Sequence, residues 1–219
     1  MSAPIANSLG GGVTADYDLL LTHYEIDIAD ATGWPCGVRP RPAPGLKVNA
    51  FAGSLDHPRW MHVLPNGDVL VAETNTPTKK ESGFSLRKIF MAGAMKRAGA
   101  ATTSANRITL LRDTDHDGIA DLRTAFIEGL NSPFGVALLN GKLYVAHTDA
   151  IVAYPYSPGQ IQITARPQKV IDLPAGDINH HWTKDLITGR DGRTLYVSVG
   201  STAMSAKMAS RRSKAAPRC

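Results

Sequence analysis

Two short stretches of the 219-residue sequence carry side chains whose types and spacing could do chemistry. The first, DTDHDGIAD (113–121), places Asp113, Asp115, Asp117 and Asp121 around Gly118. Carboxylates at that spacing, a glycine for the sharp turn and the main-chain carbonyl of Ile119 can wrap oxygen ligands around a hard cation such as calcium. A full EF-hand loop ends in glutamate at its twelfth position, where this chain has Thr124, and its flanks here read as strands. The loop is therefore a candidate structural calcium clip; the alternative is a solvated acidic hairpin. The second stretch, DINHHWTK (177–184), sets His180, His181 and Trp182 at the head of an apolar strand. An imidazole titrates near neutrality and can accept a proton there. A single loop histidine is more often solvated or bonded to a carbonyl, but a pair beside an aromatic ring favours a functional role.

These groups need elements to position them. Three segments look alike when stacked: HPRWMHVLPNGDVLVAET (57–74), SPFGVALLNGKLYVAHT (132–148) and HHWTKDLITGRDGRTLYVSVGS (180–201). Each runs from an apolar strand through a turn containing Gly67, Gly141 or Gly192 into a second strand, the pattern of a buried hairpin. The turn glycines stand 74 and then 51 residues apart, and discounting a 29-residue insertion at 76–104 brings the first interval to 45. Further strands are expected at 107–113, 122–129, 150–156 and 168–173. A period of that length with four strands per unit marks propeller blades. The expected fold is all-β: a partial six-bladed β-propeller of about three blades, which is only part of a ring. Residues 1–33 form an N-terminal extension, 34–200 the incomplete blades and 201–219 a basic tail. Within the insertion, Leu86, Ile89, Phe90 and Ala94 share a helical face while Arg87, Lys88, Lys96 and Arg97 lie mostly away from it. That pattern predicts a short helix, capping a sheet or making a peripheral membrane or partner contact.

Composition narrows the function classes. Formal charge is +5, but Lys207, Arg211, Arg212, Lys214 and Arg218 of the tail account for all of the excess. The body is neutral and lacks the basic stripe that nucleic acid would demand. Cys36 and Cys219 are the only cysteines, too few for a disulfide framework or a four-ligand zinc site. The N-terminal sequence shows no basic region ahead of an apolar stretch, so no secretory signal is expected on the chain as written.

The segments LKVNAFAGSLDHPRWMHVLPNGDVLVAET, SANRITLLRDTDHDGIADLRTAFIEGLNSPFGVAL and LPAGDINHHWTKDLITGRDGRTLYVSVGS closely resemble the L-sorbosone dehydrogenase branch of the soluble glucose/sorbosone dehydrogenases. The resemblance covers about residues 34–200. It implies a six-bladed propeller that uses pyrroloquinoline quinone (PQQ) with calcium and oxidises a sugar or aldehyde, passing electrons to a separate acceptor. It also implies that His181 is the general base, that His180 and Trp182 stand near the base or the substrate, and that the protein is exported or periplasmic. In that family the cations that hold PQQ come from later blades, whereas here the VGS segment passes into the basic tail. The expectation is a truncated dehydrogenase that is inactive alone. Two other readings compete: a calcium-dependent lactonase, against which no set of Glu, Asn and Asp from successive blades converges on one axial metal, and a non-catalytic, calcium-stabilised binding module.

Overall fold

The computed structural model describes residues 30–33, 35, 37–77, 86–100, 102–176 and 181–200. Among these residues, ten strands form three antiparallel sheets. The first holds β1 (Pro58–Val63), β2 (Val69–Glu73), β3 (Arg107–Arg112) and β4 (Leu122–Ile127) in sequential order. The second repeats that meander with β5 (Val136–Leu139), β6 (Lys142–Ala146), β7 (Ala150–Pro155) and β8 (Gln168–Asp172). The third is two-stranded, with β9 (Lys184–Thr188) paired to β10 (Leu195–Val199). This is the partial propeller expected from the sequence, as two complete blades and the first hairpin of another.

Local chemistry sets the registers. Leu139 pairs with Lys142 across the two-residue turn Asn140–Gly141, whose φ angles are 50° and 71°. Both residues are left-handed, as a type I′ turn requires, and Asn-Gly is the pair that adopts it most readily. In the first sheet Asp68 sits behind the turn at Gly67 and receives Arg112 from β3 at 2.6 and 2.7 Å, tying the hairpin to its neighbour.

Strand alternation puts one apolar row on each side of a blade, and the rows of adjacent blades interlock. Leu70, Ile108 and Phe126 of the first blade pack with Val136, Leu143 and Val145 of the second, all nearly or wholly buried. Burial of each such side chain contributes about 1.5–3 kcal/mol. On its other face the second blade packs Ala137, Ala146 and Ile151 against Leu186 of β9. Strand β5 lies beside both β1 and β9, so the leading strands of the three blades are consecutive neighbours. Among the described residues the remaining faces of the first and third blades are exposed, with Met61 and Val63 at 68% and 64% exposure on one and Ile187 and Tyr196 at 67% and 60% on the other.

A separate compact unit holds α1 (Leu86–Arg97) and residues 30–32. The helix ends with Ala100 N–H donating to the Met95 carbonyl and Gly99 N–H to that of Lys96, closing the last turn. Among the described residues no helix is long and apolar enough to cross a membrane.

Candidate functional site

Because every blade is an up-and-down meander, the starts of β1, β5 and β9 and the ends of β2, β6 and β10 fall on one face of the array. Arg59, Trp60, Thr74, Phe134, His147, His181, Trp182 and Gly200 therefore gather at one mouth. The β3–β4 loop, with its aspartates, lies on the opposite face.

At the mouth His181 is held through its main chain, and its Cβ lies close over Gly200. Lys184, with no exposed surface, donates from Nζ to the His181 carbonyl at 2.9 Å. Burial pushes the Lys184 ammonium below its ordinary range, because its charge must be held away from water. A Cβ added at Gly200 would stand 2.6 Å from the His181 Cβ, so the histidine rests on a position that only glycine can fill without displacement. The neighbouring blade is equally close: Gly135 N–H donates to the Lys184 carbonyl at 2.9 Å, and a Cβ at Gly135 would meet Leu186 N at 2.5 Å. Leading strands that approach this closely leave no space for a side chain between them.

Across the mouth from the first blade comes Arg59. Its guanidinium carbon lies 5.9 Å from the Trp182 ring centroid, within the range of cation–π attraction. Nε donates to the Thr74 carbonyl at 3.3 Å and Nη2 to Asn75 Oδ1 at 3.5 Å. Asn75 is held in turn, its N–H donating to Ser104 Oγ at 2.8 Å. Trp60 and Phe134, from the first and second blades, pack at 5.4 Å between ring centroids. His147, at the end of β6, is pushed below the usual histidine range by burial, against the opposing charge of Asp149. Its Nε2 is buried with no hydrogen-bond partner among the described residues.

Of the sequence-derived candidates, the structure brings His181 and Trp182 to this mouth, while His180 lies outside the described residues. On the other face Asp113, Asp115 and Asp117 converge, with oxygens within 4.8 Å of one another. This is an all-carboxylate donor set of the kind that suits a hard cation. Asp121 stands apart from that set, accepting the Thr114 N–H at 3.1 Å and also the Thr114 hydroxyl. Asp113 also accepts the Gly118 N–H at 2.9 Å; burial opposes its ionisation, but these hydrogen bonds hold it below the usual carboxylate range. A cleft of about 480 Å³ beside the loop, lined in part by Phe51, Arg112, Asp113 and His116, belongs to this face and not to the mouth. Arg59, Lys184, Gly135 and Gly200 were not candidates on sequence. Nothing in the sequence set them apart: Arg59 falls at the irregularity in the β1 register, and Lys184 is the first residue of β9.

Residues 42–217 match the family described as "Domain of unknown function (DUF7133)". The chain belongs to that family. No curated protein matches it. Among solved structures it is similar to the holo form of the pyranose dehydrogenase PQQ domain from Coprinopsis cinerea, at 17% identity and a TM-score of 0.52 over 75% of this chain and 34% of that one. It is also similar to the Carbohydrate-Active Enzymes Family AA12 protein of Trichoderma reesei. The iodide structure of that protein gives 17% identity and a TM-score of 0.58 over 80% of this chain and 38% of that one. Its calcium structure gives 17% identity and a TM-score of 0.53, covering 75% and 34%. This DUF7133 chain thus shares its fold with a PQQ domain while spanning little more than a third of the length of these structures.

Proposed function

We propose that this chain forms the base-bearing part of a PQQ-dependent sugar or aldehyde dehydrogenase of the sorbosone dehydrogenase type. The observation that carries the reading is His181, anchored by Lys184 and Gly200 at the mouth of blades whose fold matches a PQQ domain. The residues present fit such a cofactor by their donor chemistry. A planar tricarboxylate calls for cations, and Arg59 gives only two of its five N–H donors to Thr74 and Asn75.

When bound, PQQ supplies the two-electron acceptor. The chain's own residues do the rest. His181 accepts the proton of a sugar hydroxyl or of an aldehyde hydrate, and Lys184 keeps the His181 main chain from drifting as the imidazole charges. Arg59 contributes positive charge where anionic groups must sit. The substrate is a small sugar or aldehyde, electrons leave to a separate acceptor, and the compartment is that of exported proteins.

The test is reaction with PQQ, calcium, L-sorbosone or an aldose, and a dye acceptor. Because the outermost blades are open-faced, the expected result is that the 219-residue chain alone leaves the dye oxidised. In a form that completes the ring, dye reduction is expected, with His181→Ala slowing it by about two to four powers of ten, the usual worth of a positioned acid or base. Full turnover by that variant would sink the reading. No dye reduction by the completed ring together with calcium-dependent stability would favour a binding module held by Asp113, Asp115 and Asp117; hydrolysis of a lactone without quinone would favour a lactonase.

A further inference from the structure

Four turns among the described residues place an asparagine or aspartate directly before a glycine: Asn66–Gly67, Asp117–Gly118, Asn140–Gly141 and Asp191–Gly192. Glycine has no Cβ, so its main-chain nitrogen can approach the side-chain carbonyl carbon of the residue before it, and attack there closes a five-membered ring. The reaction requires that this nitrogen be released from its hydrogen bond and that the side chain be free to turn toward it.

Three of the four turns withhold both. Gly67 N–H donates to the Leu64 carbonyl at 2.9 Å, and Asn66 is held at both ends by Asp68, donating from Nδ2 to Oδ2 at 2.8 Å and accepting the Asp68 N–H at 3.4 Å. Gly118 N–H donates to Asp113 at 2.9 Å, while Asp117 accepts the Ile119 N–H at 2.8 Å. Gly192 N–H donates to the Gly189 carbonyl at 3.1 Å, and Asp191 accepts the N–H groups of Arg193 and Thr194, each at 3.0 Å. Asn140–Gly141 differs. Both residues are exposed, Gly141 N–H has no acceptor among the described residues, and the Asn140 side chain makes one bond, donating from Nδ2 to the Gly192 carbonyl at 3.2 Å.

We propose that Asn140 is a site of spontaneous deamidation that unfastens the third blade from the second. The Gly141 nitrogen gives up its proton to solvent base and attacks Asn140 Cγ; the Cγ–Nδ2 bond breaks, and ammonia leaves with a proton from water. Water then opens the succinimide at either carbonyl, giving aspartate or isoaspartate with no oxidation or reduction. Both products lose the donor that ties the β5–β6 turn to the Gly192 carbonyl and set a carboxylate against that oxygen. Isoaspartate also adds a main-chain carbon to the two-residue turn that pairs Leu139 with Lys142, the length on which that register depends. The inference concerns the blades alone and stands apart from the dehydrogenase reading.

The experiment holds the intact 219-residue chain in warm, mildly alkaline buffer, cuts it with trypsin and follows peptides 60–79 and 124–142 by mass spectrometry, with isoaspartate counted by enzymatic methylation. Asn140 is expected to convert about 10- to 30-fold faster than Asn66, the worth of the two further hydrogen bonds that restrain Asn66–Gly67. In urea, where neither turn persists, the two sites are expected to react at similar rates. Hydrogen exchange at Leu186 should quicken in the aged parent and not in aged Asn140→Gln, whose longer side chain would have to close a larger ring. If Asn140→Gln fails to fold, fresh and aged parent supply the same comparison.

Equal rates at Asn66 and Asn140 in the folded chain, or conversion of Asn140 in urea alone, would overturn the site. Conversion that leaves exchange at Leu186 unchanged would overturn its effect on the third blade.

Discussion

The two faces of the blades present polar clusters built on opposite plans. On the mouth face, Arg59, Trp182, His181, Lys184 and Gly200 come from the first and third blades, and Gly135 of the second joins them. The contact of Arg59 with Trp182 and the hydrogen bond from Gly135 to Lys184 exist only once the blades have stacked. On the other face, Asp113, Asp115, Asp117 and Asp121 belong to one hairpin, and their hydrogen bonds go to Thr114, Asp117, Gly118 and Ile119 within the same loop. A loop that satisfies itself can be exchanged with little effect on the remainder of the fold, whereas a site assembled from several blades reports on their stacking. Chemistry that needs a base, a cation and a shaped boundary together can be assembled at the mouth; the loop by itself offers oxygen ligands.

The comparison can be broken by substitutions of graded cost. The largest effect is expected at Glu73, whose buried carboxylate joins the strands of the first blade by accepting Arg107 at 3.1 Å, together with the Thr109 hydroxyl and the Asp56 N–H. Glu73→Ala strands these donors and should cost about 3–5 kcal/mol, read from urea unfolding. Next comes Gly135→Ala, which forces β5 away from β9 and should cost about 1–3 kcal/mol, as overpacking does. Native-state hydrogen exchange at Leu186 should then speed up.

Acid titration tests the same joints without mutation. Burial opposes ionisation of Glu73, but hydrogen bonds led by that of Arg107 outweigh it and hold the carboxyl below its ordinary value. Asp68 is lowered first by its hydrogen bond from Arg112, against the cost of burial. A carboxyl whose folded pKa is depressed stabilises the protein above its unfolded pKa, and that stability is lost as pH falls through the folded value. Urea midpoints should therefore be level near neutrality and drop below about pH 4, with a shallower drop in Glu73→Gln. A flat profile would deny the ion pairs their role.

The smallest effect is expected in the acidic loop. Asp113→Ala should leave the melting temperature in chelator unchanged and abolish any rise on adding calcium, while binding at the mouth stays as in the parent. A large loss of stability without calcium would show that the loop is not self-contained.

Much of the architecture was legible because each blade begins with a hairpin whose turn chemistry is local: Asn140–Gly141 announces its own conformation, and the apolar runs on either side need only close on it. The strands β3, β4, β7 and β8 were legible for the same reason, as short apolar runs between polar turns. The mouth was legible only in part. Histidines at a strand head draw attention by their chemistry, but nothing near Arg59 in HPRW tells that its guanidinium crosses to a tryptophan two blades away. Lys184 was hidden differently, since a lysine at the start of a strand ordinarily reads as solvent-facing. Here the alternation of β9 turns it toward the second blade, together with Leu186. The position of Asp121 likewise depends on whether the Thr114 hydroxyl or a shared cation point captures its carboxylate, a competition that spacing alone does not decide.

His181 rests on Gly200, at the far end of a hairpin that shows two strands among the described residues. Segments with few ladder partners open more readily than the body of a protein, in cooperative units of their own. The imidazole should accordingly be released by sub-global excursions of β9 and β10 while the two four-stranded blades remain intact, so warming should extinguish the site at a temperature below that of collapse. Any additional strand or ligand that clasps this hairpin would thereby act as a thermostat on the base, setting how long it dwells in its working position.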